Sequence, residues 1–368
     1  LLIAIDASRT TVARLTGTEH YALRLIQSLI QVNDQQTTPY QIDLYFRDEP
    51  ASDLFPASPN VKQHIIPFQR AWTHLRFAYT IWSSRPDITF VPAHTLPFVF
   101  PGKSMVTIHD LGYKYFPDAH PARQRSYLDL TTRYSQARAT RILADSQATA
   151  NDLTKFYNTP ADKIRVVYPG VDPEPLHATL QDIEVIRQKY NLPERYFIFI
   201  GTLQPRKNIK RIVQAFSHWQ SHNHDDDTAL VLAGGQGWLF DETWLQGVKN
   251  VILTGYIDEA DKSTLLKGSI ALVFPTLYEG FGFPVIEAMH CGTPVIASNT
   301  SSLPELVGNA GILVNPNDTE EITDAMTRYS SDDVFRQNMI EAGLQHATHF
   351  TWNKTALDTL EIIHTIVS

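Results

Sequence analysis

Two carboxylates, Glu279 and Glu287, stand eight positions apart in EGFGFPVIEAMHCG, residues 279–292. Between them lie Gly280, Phe281, Gly282, Phe283 and Pro284. The apolar run Ala271–Phe274 ahead of them reads as a buried strand. Pro284 suits the first turn of a helix, where its missing N–H would have no partner anyway. Glu287 is expected within that first turn and Gly292 at the helix end. A strand, a glycine-bearing loop and a helix start together let backbone N–H groups approach a ligand oxygen, with the positive end of the helix behind them. Carboxylates repel a bare phosphate, so this pair makes better sense as acceptors for sugar hydroxyls. An ordinary acidic helix start reads the same way, because the dipole preference is only ~0.3–1 kcal/mol.

A second cluster offers the opposite charge. Gly201-Thr202-Leu203-Gln204-Pro205-Arg206-Lys207-Asn208 follows the apolar run Tyr196–Ile200 and precedes a helix. Arg206 supplies a bidentate fork and Lys207 a point charge, which suits a diphosphate, though an exposed solvated pair is the plain alternative. Gly234-Gly235 follows the next strand run and permits close backbone approach to a ligand.

In the first half of the chain, Thr16-Gly17-Thr18 lies just before a helix whose Ala22, Leu25, Leu29 and Val32 share a face. The Gly17 amide is a candidate phosphate cradle, or part of an ordinary loop. Three polar segments follow strand runs: Pro92-Ala93-His94, His109-Asp110 and Asp145-Ser146. His109 after Met105–Ile108 is the candidate catalytic group among them, against a purely structural histidine. His222, His224, Asp225, Asp226 and Asp227 form a polar cluster in which Asp225-x-Asp227 has the spacing of a divalent-metal pair. It falls at the amino end of a strand, away from any crevice, and reads as a solvated loop. No GxGxxG, GxxxxGK[ST] or GxSxG pattern occurs.

These residues need a scaffold. Strand runs are expected at Leu1–Ile5, Gln41–Phe46, Asp87–Val91, Met105–Ile108, Arg141–Ala144 and Ile164–Val167. A second series covers Tyr196–Ile200, Ala229–Ala233, Val251–Thr254, Ala271–Phe274, Pro294–Ala297 and Gly311–Val314. Alternation with helices implies parallel sheets covered on both faces, with ligands beyond the carboxyl ends of the strands. The proline-rich stretch from Val167 to Pro175 is the natural linker. An α/β protein of two domains follows, 1–169 and 170–350. A last helix, 351–368, has Leu357, Leu360, Ile363 and Val367 at helical spacing.

The 368 residues, 43% hydrophobic and 19% charged, are enough for two full cores. Residues 1–169 carry 18 Lys and Arg against 14 Asp and Glu, while residues 170–368 carry 13 against 25. The acidic half argues against general nucleic-acid binding, and the basic half suits an anionic partner. The single cysteine, Cys291, rules out internal disulfides and fits a reducing, cytoplasmic compartment. Neither a spanning segment nor a signal peptide is expected. From Arg70 to Arg85, Arg70, Trp72, Arg76, Phe77, Tyr79, Trp82 and Arg85 interleave. Such a mixture could rest on an anionic membrane or grip an acceptor, or be a core helix with a solvated face. Arg123, Arg125, Arg133, Arg138 and Arg141 form a second basic set.

EGFGFPVIE, GTLQPRKN, VTIHDLGYKYFP, ILADSQAT and YPGVD together resemble the retaining glycosyltransferases of family 4, over nearly the whole chain. The look is nearest to the mannosyl- and rhamnosyltransferases of polysaccharide assembly. The resemblance implies the GT-B architecture: two Rossmann-like domains facing across a cleft, with the final helix returning to the first. It implies that Glu287 binds ribose hydroxyls, and that Glu279 and the amides of Phe281, Gly282 and Phe283 hold sugar and phosphate. Arg206 and Lys207, helped by the Gly17 amide, would carry the diphosphate. His109 would touch the transferred sugar, with Tyr256 and Gly235 beside the nucleotide.

The expected partners are a nucleotide-sugar donor, with GDP-mannose ahead of UDP-sugars, and a glycan or lipid-linked acceptor. Peripheral contact with the inner membrane face through the first domain is a further expectation. No cofactor or metal is expected. Thr202 departs from the family, many of whose members have arginine there. A nucleotide-sugar epimerase of the same architecture and a non-catalytic nucleotide-sugar-binding partner are the alternatives.

Overall fold

The computed structural model describes residues 1–12, 16–119, 121–172, 178–223, 227–237 and 239–368. The chain divides into two units, Leu1–Gly170 with Phe350–Ser368, and Val171–His349. Phe350 thus belongs with the first unit, where its ring meets Tyr168 edge-on at 5.8 Å. Gly170 lies so close to the last helix that an added Cβ would come within 2.1 Å of the Trp352 amide nitrogen. Pro173, Glu174 and Pro175 of the expected linker lie outside the described residues.

The first unit is a seven-stranded parallel sheet: β1 (Leu2–Asp6), β2 (Gln41–Phe46), β3 (Val61–Ile65), β4 (Ile88–Val91), β5 (Lys103–Ile108), β6 (Arg141–Ala144) and β7 (Ile164–Val166), in the order β3-β2-β1-β4-β5-β6-β7. The order reverses between β1 and β4, the point where open parallel sheets leave a crevice at their carboxyl ends. β3 was not expected: Val-Lys-Gln-His-Ile is too polar to read as a strand, and it lies at the sheet edge with both lysine and glutamine exposed. The Gly17–Asp34 helix buries Ala22, Leu25, Leu29 and Val32 as its periodicity requires. Against it packs the final helix, Trp352–Val367. That helix buries Ala356, Leu360, Ile363 and Ile366, whereas Leu357 is 45% exposed and leaves the apolar row.

The second unit holds six parallel strands: β8 (Tyr196–Ile200), β9 (Ala229–Ala233), β10 (Val251–Gly255), β11 (Leu272–Phe274), β12 (Val295–Ser298) and β13 (Ile312–Val314), in the order β10-β9-β8-β11-β12-β13. Apart from β10 and the start of β13 these strands are buried throughout, as parallel strands covered on both faces should be. Here the order reverses between β8 and β11. Among the described residues, no helix is long and apolar enough to cross a membrane.

Candidate active site

The reversal in the second sheet brings two sequence-distant loops side by side. The loop after β8 carries Arg206 and Lys207 in a short 3₁₀ turn, Pro205–Lys207. The loop after β11 carries Glu279. Lys207 Nζ lies 2.6 Å from Glu279 Oε1, and Arg206 Nη1 lies 3.5 Å from Glu279 Oε2. Arg206 also donates to the Tyr278 carbonyl at 2.7 Å, while its own carbonyl accepts from the Leu277 amide at 2.9 Å. Glu279 is buried. Its desolvation is met by two cations, so the cluster carries one positive charge in excess.

Asn208 fixes this geometry. It adopts the left-handed conformation (φ +62°) that asparagine tolerates better than most residues. Its side-chain amide donates to the Pro275 carbonyl at 2.9 Å and to the Pro316 carbonyl at 2.7 Å. One amide therefore ties the loop after β8 to the loops after β11 and β13. From the β12 side, Ser301 Oγ accepts from the Glu279 amide at 3.1 Å, and Ser302 Oγ donates to the Glu279 carbonyl at 3.1 Å and to that of Phe281.

The loop then enters the Phe283–His290 helix. Gly282 takes φ +124°, open to glycine alone, and a Cβ there would meet Leu303 Cδ2 at 2.7 Å. Pro284 occupies the first turn and Gly292 follows the end at φ +70°, both as expected. Glu287 differs from expectation: with Phe283 as the first helical residue it falls in the second turn, and the first turn holds no acidic residue. No side chain caps the helix at Gly282. The first turn therefore brings no carboxylate of its own to neutralise the positive end of the helix.

Glu287 belongs to a different cluster. Its Oε1 accepts from Lys262 Nζ at 2.9 Å, and Lys262 also pairs with Glu259. Burial works against the ammonium of Lys262, but Glu287 and Glu259 outweigh it and hold its pKa above the usual lysine range. This group has one cation for two carboxylates. Lys262 was missed in the sequence because Glu259-Ala260-Asp261-Lys262 reads as a solvated helix start. Only the fold puts it against the 283–290 helix.

At the next strand ends the chain is compressed. Gly201 and Gly234 have φ near +145°, and a Cβ on Gly234 would come within 2.0 Å of the Gly201 carbonyl oxygen. A Cβ on Gly235 would come within 2.2 Å of the Tyr256 ring, so these two expected nucleotide contacts do lie together. Tyr256 itself is 62% exposed. Thr202 is exposed, with its methyl turned toward Gly237.

The remaining expected residues lie in the first unit. His109 follows β5, and its Nδ1 donates to Asp145 Oδ2, which follows the neighbouring β6, at 2.7 Å. The His109 amide donates to Nε2 of His94, which follows β4, at 2.9 Å. A donor aimed at Nε2 requires a lone pair there, so His94 is neutral. Its pKa is pushed down to about 4 by burial and by the charge of His109. His109 goes the other way: burial lowers its pKa, but Asp145, Asp110 and the Pro92 carbonyl together raise it above the ordinary value. Tyr21, one turn into the first helix, meets the His109 ring edge-on at 4.8 Å.

Gly17 is the first residue of that helix. Glu19 already stands at its start, accepting from the Thr16 amide at 3.2 Å and pairing with Arg9 at 3.3 Å. Any anion at Gly17 would share the helix end with this carboxylate. Of the His/Asp cluster, His224, Asp225 and Asp226 lie outside the described residues, while His222 and Asp227 are exposed. No group of three or more His, Cys, Asp or Glu residues is placed to hold a metal among the described residues.

The family model for glycosyltransferase family 4 matches residues 16–175, and that for glycosyl transferases group 1 matches residues 182–346. The chain is 28% identical over 364 residues to O-antigen chain mannosyltransferase B of Escherichia coli, covering 94% of this chain and 95% of that protein. It is 27% identical over 287 residues to the serotype-specific mannosyltransferase WbdA of Escherichia coli, covering 72% of this chain but only 33% of that longer protein. Among solved structures it superposes on sucrose-phosphate synthase of Thermosynechococcus elongatus with a TM-score of 0.75 at 20% identity, covering 99% and 98% of the two chains. With its two parallel-sheet units and both family models matched in order, the chain is a GT-B protein and belongs to the group 1, family 4 glycosyltransferases.

Proposed function

We propose that the chain moves a sugar from a nucleotide-diphosphate donor to a hydroxyl of a glycan or glycolipid acceptor, with retention at the anomeric carbon. The convergence of Arg206 and Lys207 on Glu279 at the strand-order reversal carries this reading. A diphosphate arriving at the uncapped start of the 283–290 helix would draw Lys207 and Arg206 off Glu279. The freed carboxylate can then accept from donor-sugar hydroxyls. The amides of Phe281, Gly282 and Phe283 would hold phosphate and sugar, and Glu287, oriented by Lys262, the ribose hydroxyls. Gly235 and Tyr256 would flank the nucleotide.

As the bond to phosphate loosens, charge accumulates on the leaving diphosphate. Preorganised cations there are typically worth ~10²–10³-fold in rate each. These side chains would do the neutralising that a divalent metal does elsewhere. The departing phosphate oxygen takes the acceptor proton on the same face of the sugar, which gives retention. On the family resemblance, His109 would touch the transferred sugar and the Gly17 amide would assist the diphosphate.

GDP-mannose is the proposed donor, supported by the two mannosyltransferase relatives. UDP-sugars stand second. A cytoplasmic location fits the single cysteine. The test is a thermal-shift series with GDP, UDP, dTDP and ADP, since a ligand raises stability as RT ln(1 + [L]/Kd). Turnover of the matching donor with and without a mannose-terminated acceptor follows. GDP-specific stabilisation and acceptor-dependent release of GDP support the reading. An isomerised sugar from donor alone would make the protein an epimerase. Binding without turnover across a broad acceptor panel would make it a non-catalytic partner.

A further inference from the structure

Lys262 is a buried ammonium whose place packing alone does not require. It stands in the Glu259–Lys267 helix, which follows β10 and buries its Leu265 and Leu266 in the second unit. A methionine, of similar length, would pack there at less cost in desolvation, and a buried ion pair is weak evidence for stability. The two carboxylates that meet Lys262 are not equivalent. Glu259, one turn away, has a side chain 80% exposed, whereas that of Glu287, on the 283–290 helix, is 15% exposed. An exposed pair contributes little, so the contact with Glu287 is where the lysine acts.

The helix that carries Lys262 is itself pinned from another side. Lys189 Nζ lies 2.6 Å from Asp258 Oδ2 and 2.6 Å from Asp261 Oδ2, and the Tyr190 hydroxyl donates to Asp261 at 2.7 Å. These contacts fix where Lys262 stands, and Lys262 Nζ in turn holds Glu287 Oε1 at 2.9 Å. A glutamate side chain is long and would otherwise lose its rotamer freedom only when a ligand arrives. Held by one oxygen, Glu287 offers the other to hydroxyls in a set direction before the nucleotide enters. A ribose brings two adjacent hydroxyl donors to such a carboxylate, and a 2′-deoxyribose only one.

We infer that Lys262, a positioning residue acting through Glu287, makes the site select ribonucleoside diphosphate donors over 2′-deoxyribonucleoside ones. A missing hydroxyl leaves part of a fixed and nearly buried carboxylate without a donor, and Lys262 keeps that carboxylate from turning aside to find water. The inference rests on the sugar-transfer reading for the assignment of Glu287 to ribose. It adds which nucleotide sugars are refused: GDP and UDP donors are admitted, and dTDP donors are not.

Isothermal titration calorimetry of the full chain with GDP and with UDP, each against its 2′-deoxy form, tests it. The parent should favour the ribonucleotide by roughly ten- to a hundredfold, the usual worth of a hydrogen bond to a charged group. Lys262→Met should bind the ribonucleotide more weakly and bring the preference to within about threefold. Lys262→Gln, which keeps a donor toward Glu287 but no charge, should narrow it too, and it carries the comparison if the methionine variant does not fold. In Glu287→Gln the preference is already lost, so adding Lys262→Met should change it no further. A preference equal to the parent's in the lysine variants would overturn the inference while leaving Glu287 as the ribose contact. So would a further change in the double variant, since the lysine would then meet the nucleotide directly. A parent that binds both forms equally would remove the ribose assignment and this inference together, with acceptor-dependent transfer untouched. A parent that binds no nucleoside diphosphate would take the sugar-transfer reading with it.

Discussion

Lys207 and Glu279 are seventy-two residues apart in the chain and 2.6 Å apart in space, joined across the single point where the strand order of the second sheet reverses. The contact puts a buried carboxylate between two cations at the mouth of a helix. It is the resting state from which the proposed chemistry starts.

Lys207→Ala should lower transfer by ~10²–10³-fold, the usual cost of one preorganised charge at a transition state. Glu279 keeps Arg206 as a partner, so the second unit should fold, destabilised by about 1–3 kcal/mol. Steady-state kinetics and thermal unfolding check the two halves separately. Unchanged turnover would remove the diphosphate assignment.

Glu287→Gln should act on nucleotide binding more than on chemistry. The substitution removes a charge that faces Lys262 at 2.9 Å and leaves that lysine to Glu259. A rise of roughly tenfold in KM for donor, equivalent to ~1.4 kcal/mol, with kcat changed less, is the expected pattern. An equal fall in kcat with KM unmoved would place Glu287 at the reacting centre.

Glycines at adjacent positions should respond differently. In Gly234→Ala the new Cβ meets a backbone oxygen at 2.0 Å with φ at +146°, so the second unit should lose several kcal/mol or fail to fold. In Gly235→Ala the obstacle is the exposed Tyr256 ring, which can swing aside. That variant should fold normally and bind nucleotide more weakly. Circular dichroism and the same thermal-shift assay distinguish the two cases.

The histidine pair makes the first unit sensitive to acid. An unfolded His94 takes up a proton near pH 6.5, whereas the folded one resists until about 4. Between those values the unfolded chain binds more protons, so acidification favours unfolding, by up to ~3 kcal/mol. The raised pKa of His109 has the opposite sign: its contribution is full below the unfolded value and fades as pH rises through the folded one. Melting temperature of the first unit should therefore fall as pH drops below 6.5, and His94→Gln, which retains an acceptor, should flatten that slope. A slope identical to the parent would contradict the assignment.

Much of the scaffold was legible because parallel strands covered on both faces are unbroken apolar runs, and Tyr196–Ile200 or Ala229–Ala233 cannot easily be anything else. β3 was not legible, since an edge strand with exposed Lys62 and Gln63 carries no such signal. The site divided along the same line. Glu279, Arg206, Lys207, Gly282 and Pro284 announce themselves through local chemistry at strand ends. Lys262, Ser301 and Ser302 act through contacts that only the sheet order creates, and nothing in their own neighbourhoods sets them apart. Glu287 was placed a turn too early because the helix begins at Phe283, ahead of its proline. Leu357 looked like core by spacing, but the buried row of the last helix runs through Ala356 and Leu360.

The anomeric configuration of the product tests the central claim most directly. With GDP-α-mannose and a mannose-terminated oligosaccharide, proton NMR of the isolated product should show a new α-linked mannose, formed with release of GDP. A β-linked product, or a free rearranged sugar with no new linkage, would contradict the account.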